Sequence, residues 1–174
     1  MIMEVLMHVF QPVDPIDVDE GPFSFSGKKF LITAGDGDKV NTVATSNGGV
    51  GQLSGRRVVF IVLRGRRYTR ELIDASGEFS LSFLNHTEFR GAIKYLEAVS
   101  GRNEDKIGGA RLTVNYDEGI PFIDEADNVI TARVLYRQEL DKDCCKDNDM
   151  VDQFYQGDDY YIMYVGEIKK IMIR

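Results

Sequence analysis

Runs with the period and composition of β-strands dominate this chain, and they do not alternate regularly with helical runs. That pattern disfavours a doubly wound parallel sheet, in which strands and helices take turns. It favours a mainly β (α+β) fold, a small barrel with two or three short inserted helices. Phe30 to Ala34 reads as a strand, Gly35 to Asp38 as a turn, and Thr42 to Thr45 as a second strand running into Ser46-Asn47-Gly48-Gly49. Val58 to Leu63 is an unbroken β-branched and aromatic run, the signature of a strand buried on both faces. Glu78 to Phe83 alternates Phe79, Leu81 and Phe83. Leu112 to Val114, a turn at Asp117 to Gly119, and two long strands, Val129 to Leu140 and Tyr160 to Arg174, complete the β set. Tyr160, Tyr161 and Tyr164 read as core and interface.

Two helices are expected between these strands. Thr69 is placed to cap a short one carrying Leu72 and Ile73. Thr87 is placed to cap the clearer one, whose Phe89, Ala92, Ile93 and Leu96 follow the i, i+3, i+4, i+7 rule. Ser100-Gly101-Arg102 ends it. Residues 1–22, with Pro12, Pro15 and Pro22, read as an irregular extension of a single domain spanning 1–174.

Charge narrows the partners. The chain carries 21 basic and 28 acidic residues, a net charge of -7, which disfavours general binding to nucleic acid. Yet Arg56, Arg57, Arg64, Arg66, Arg67 and Arg70 fall in one short stretch. They read equally as a discrete anion site or as a solvated surface with acidic neighbours in space. Cys144 and Cys145 are adjacent in a polar run from Asp141 to Asp149, which fits reduced thiols in a cytoplasmic protein rather than a disulfide framework. No targeting segment and no membrane-length apolar run is visible. The only histidines, His8 and His86, stand beside no nucleophile motif and no metal-spaced cysteines. The GDGD turn lacks the spacing of a calcium loop. Neither GxGxxG nor a P-loop is present.

Chemistry concentrates in two segments, Asn41 to Gly49 and Leu63 to Thr69. The first sets hydroxyls and amides at a strand end before glycines, which let a ligand approach the backbone. The second sets three arginines ahead of a helix start, where free N–H groups and fork-shaped guanidinium donors match phosphate oxygens. The alternative is a strand-to-helix loop with solvated arginines. A third loop, Ser100 to Lys106, reads either as a ligand-contacting loop or as a helix end followed by a capped short helix.

The ordered set ITAGDGDKVNTVATSNGGVG, VVFIVLRGRRYTRELI and SGRNEDKI, with the ending YVGEIKKI, resembles the flavin reductase-like, FMN-binding split-barrel family. It is most similar to the flavoredoxin-like bacterial branch, from about Phe23 to Arg174. The resemblance implies a split β-barrel that binds FMN at a homodimer interface. It implies that Thr42, Ala44, Thr45, Ser46, Asn47 and Gly48 contact the isoalloxazine and ribityl parts, and that Arg64, Arg67, Tyr68 and Thr69 lie near the phosphate. Ser100, Gly101, Arg102 and Lys106 would approach the flavin from the same or the neighbouring subunit. Arg64 and Lys106 would stabilise negative charge on the reduced flavin. The implied activity is an FMN-dependent oxidoreductase passing electrons from NAD(P)H to a flavin, ferric or protein acceptor. The alternatives are an FMN electron carrier without NAD(P)H activity, and a binding module that has lost flavin. This chain departs from the family pattern at Asn47, where the family has Trp, and at Leu53-Ser54-Gly55-Arg56-Arg57, where it has LWNKP. Leu96-Glu97 replaces a Cys-Gly pair, and Asn103 replaces an Asp.

Overall fold

The computed structural model describes residues 28–155, 157 and 159–174. The expected N-terminal extension, 1–22, lies outside the described residues. Nine strands follow in chain order: β1 (Phe30–Asp36), β2 (Lys39–Thr45), β3 (Gly48–Leu53), β4 (Arg56–Arg64), β5 (Glu78–Phe83), β6 (Val114–Asp117), β7 (Ile120–Ile123), β8 (Asn128–Glu139) and β9 (Tyr161–Ile173). Seven form one sheet in the order β2-β1-β5-β8-β9-β4-β3, and β6 and β7 form a separate hairpin. Every pairing in the large sheet is antiparallel. β2 and β3 are its two edges, so the sheet curls without closing.

Turn chemistry explains the hairpins. β3 and β4 are joined through Ser54-Gly55, and β6 and β7 through Glu118-Gly119. Both residues of each pair have positive φ (49° and 76°, 48° and 86°). That is the two-residue turn whose twist matches the flanking strands.

Four helical segments interrupt the strands: α1 (Tyr68–Ser76), α2 (Arg90–Ala98), α3 (Lys106–Gly109) and α4 (Asn148–Phe154). The apolar faces of α1 and α2 are as expected, but their starts differ. Arg67 occupies the cap position of α1 without a side-chain bond, and Thr69 is buried inside the first turn. Ahead of α2, Asn85 rather than Thr87 accepts the free N–H groups, those of Thr87 and Glu88. Gly77 ends α1 in the left-handed conformation, φ 73°. A short 3₁₀ turn (Lys142–Cys144) and α4 occupy the polar run expected to be loop, each started by an aspartate side chain.

Two cores flank β1. Phe30, Ile32, Ile61, Phe79, Leu81, Ile130, Ile162 and Tyr164 fill the barrel interior, closed at one side by Leu72 and Ile73 of α1. Leu31, Leu96, Ile107, Ile123 and Val129 form a second layer beneath α2, α3 and the β6–β7 hairpin. β1 and β5 are therefore buried on both faces. β4 is not: Val59, Ile61 and Leu63 are buried, but Phe60 is 40% exposed because no helix among the described residues covers its outer side. No helix among the described residues is long and apolar enough to cross a membrane.

Candidate functional site

The end of β4, the start of α1, the end of α2 and the start of α3 converge on one cleft of about 420 Å³. Seven of the expected site residues line it: Arg64, Arg67, Tyr68, Thr69, Ser100, Gly101 and Lys106. A narrow extension of about 60 Å³ shares Val43, Arg64 and Arg67 with it and runs along β2 past Ala44, Thr45 and Asn47. The two segments singled out by sequence thus meet in space.

The remaining expected residues stand elsewhere. Thr42 is buried with its hydroxyl donating to the Ile32 carbonyl at 3.0 Å and accepting from Thr33 at 3.0 Å. It serves the sheet, not the cleft. Ser46 is exposed, and Gly48 pairs with Ile61 at the edge of the sheet. Neither lines the cleft or its extension. Arg102 lies outside the cleft, with its guanidinium 5.2 Å above the Tyr68 ring and its nitrogens donating to Glu71 at 2.6 and 3.0 Å. It backs the tyrosine that forms a cleft wall.

Asn41 and Arg66, inside the two segments but outside the implied contacts, and Asp159, outside both segments, also line the cleft. Strand alternation would have found Asn41, since it puts Asn41 and Val43 on the face opposite Thr42. Asn41 is buried, and its Nδ2 donates to Thr69 Oγ1 at 2.9 Å, tying β2 to the first turn of α1. Gly101 packs directly against it: a Cβ on residue 101 would sit 1.9 Å from Asn41 Oδ1. The Ser100 loop has two structural roles. It ends α2 and leads into α3, capped by Asp105 accepting from the Gly108 N–H at 3.0 Å, and it also forms a cleft wall.

The cleft is cationic. Arg64 and Arg67 flank the entry to α1, whose N-terminal N–H groups add partial positive charge. Lys106 is buried, and its ammonium donates to the carbonyl oxygens of Leu96 (3.2 Å) and Val99 (3.5 Å) at the end of α2. Burial lowers its pKa to about 8, and the positive charge of Arg67 adds to that. Arg64 lies 4.7 Å over the Tyr161 ring and donates to Asp159 at 3.4 Å.

The open, seven-stranded antiparallel barrel is a fold found in solved flavin proteins. The chain shares it with flavoredoxin from Methanosarcina acetivorans (TM-score 0.69, 21% identity, covering 93% of this chain and 76% of that one). It shares it also with flavoredoxin of Desulfovibrio vulgaris (0.65, 21%, 84% and 69%) and with an NADH:FAD oxidoreductase of Streptomyces globisporus (0.62, 14%, 84% and 75%). The sequence profile of the flavin reductase like domain matches residues 24–174, and this chain belongs to that family. No curated protein matches it by sequence.

Proposed function

We propose that the cleft holds FMN and that the protein is an FMN-dependent oxidoreductase, passing electrons from NAD(P)H to a flavin, ferric or protein acceptor. One observation carries the reading. A roomy cationic cleft at a helix start, within the roughly 300–1,000 Å³ range of ligand sites, continues into a narrow slot along β2. FMN has the matching parts, a phosphate on a chain that leads to a flat ring. Arg64, Arg67 and the first turn of α1 would hold the phosphate. Ala44, Thr45 and Asn47 would border the ring-bearing end in the slot. Lys106 and Arg64 would keep positive charge beside the ligand, favouring its reduced, anionic form. When bound, the flavin supplies hydride acceptance and electron delivery, and the protein supplies binding and electrostatics.

Likeness to two flavoredoxins favours a second reading, an FMN electron carrier without NAD(P)H activity of its own. A homodimer is part of the proposal. Phe60, Val62, Met163, Val165 and Tyr136 neighbour one another through the β4–β9–β8 register on the outer face of the sheet, which no helix among the described residues covers. Such a half-exposed apolar face fits a second copy of the chain. Free Cys144 and Cys145 support a reducing compartment, the cytoplasm.

Incubation with FMN, desalting and a visible spectrum test the reading. Flavin retained at about one per chain supports it, and a colourless protein refutes tight FMN binding. Anaerobic mixing with NADH and with NADPH then separates reductase from carrier. Sedimentation equilibrium decides between dimer and monomer.

A further inference from the structure

Asp159 is a buried carboxylate inside a cleft otherwise suited to anions, 8% exposed and contributed by the segment that joins β8 to β9. Its Oδ2 accepts from Arg64 Nη1 at 3.4 Å. Its Oδ1 accepts from the backbone N–H of Arg66 at 3.4 Å and lies 3.7 Å from Arg66 Nε. These donors belong to the turn just before α1, where an incoming phosphate would need them. A carboxylate offers one negative charge and two oxygens, whereas a phosphate monoester offers about -1.5 to -2 and three oxygens. The two anions compete for Arg64 and repel each other if both are present.

We propose that Asp159 is an internal competitor for the phosphate subsite, a specificity-determining residue that lowers the cleft's affinity for phosphate-bearing flavin and keeps that flavin exchangeable. The inference rests on reading the cleft as a phosphate site. The longer Arg64 and Arg66 contacts (3.4 to 3.7 Å) fit this role, since a carboxylate committed to a charge-assisted pair sits nearer 2.7–2.9 Å. Asp159 satisfies the arginines without locking them.

The experiment compares the wild-type chain with Asp159→Asn and Asp159→Ser, after ligand-free melting curves have shown which variants are folded. Dissociation constants are measured for FMN and for riboflavin, which has the same ring and chain but no phosphate. Each variant is expected to bind FMN about ten-fold tighter or more, with riboflavin affinity unchanged within about two-fold. Weakening of both flavins by a common factor would mean that Asp159 only organises the loop, and would overturn the proposal. Unchanged affinity for both flavins would overturn it as well.

If the wild-type protein binds neither flavin, the FMN reading fails by itself, and inorganic phosphate decides the present question. A larger phosphate-induced rise in melting temperature for the variants than for wild type supports competition. Equal shifts, or none in any chain, overturn it.

Discussion

Gly101→Ala tests the scaffold of the cleft with one added carbon. Gly101 has no positive φ that would by itself require glycine, so the effect isolates space from backbone strain. The new Cβ would lie 1.9 Å from Asn41 Oδ1 and 2.7 Å from its Cγ. Real Cβ contacts essentially never fall below 3.0 Å, so the Asn41 amide must retreat by about 1 Å. A shift of that size breaks the 2.9 Å bond from Asn41 Nδ2 to Thr69 Oγ1, and both groups are buried. Leaving buried partners unsatisfied costs about 1–3 kcal/mol, and overpacking costs a similar amount. A destabilisation of about 2–4 kcal/mol is therefore expected, which shifts the urea midpoint by roughly 1–2 M at an ordinary slope. FMN binding should weaken as well, because Asn41, Thr69 and Gly101 all wall the cleft. The assay is urea unfolding of wild type, Gly101→Ala, Asn41→Ala and the double variant. With the amide gone the clash goes too, so Gly101→Ala should cost under about 0.5 kcal/mol in the Asn41→Ala background. An equal cost in both backgrounds, or none in either, refutes the steric argument.

Two further outcomes follow from titrating groups. Burial works against ionisation of Asp74, but hydrogen bonds from Tyr164 and Arg70 and the nearby charge of Arg137 outweigh it and hold its pKa below the usual value. The stabilisation is full above the unfolded value of about 3.9 and is lost as pH falls through the lower folded one. Asp74→Asn should thus cost about 1–3 kcal/mol at pH 7, because the amide carries no charge and leaves one acceptor oxygen for Tyr164, Arg137 and Arg70, which the two carboxylate oxygens serve together. Unfolding curves at falling pH should show the gap to wild type closing. For Lys106 the folded pKa of about 8 lies below the unfolded value of about 10.4. The unfolded chain then binds more protons across that window, so stability should rise with pH there, by up to about 3 kcal/mol. Lys106→Met should abolish the rise, and a slope unchanged in the variant would show that Lys106 does not cause it.

Local chemistry in the sequence determined most of the strands, because period-two alternation, β-branched runs and the Ser54-Gly55 and Glu118-Gly119 turns are properties of neighbouring residues. Composition left the arginine loop open between an anion site and a solvated surface, and the fold sets Arg64, Arg66 and Arg67 along the cleft. What the sequence misread were contacts made at long range. Val58 to Leu63 reads as buried on both sides, but burial depends on what lies over the strand, and the second layer that covers β1 and β5 does not reach Phe60. Thr69 and Thr87 look like helix caps, yet Thr69 is held from β2 by Asn41, and Asn85 serves the turn before α2. Thr42 sits in the right motif but on the wrong face of its strand for the cleft. Asp159 had no local signal at all. It reaches the cleft from a segment 95 positions beyond Arg64, and only the pairing of β4 with β9 brings that segment against the arginines.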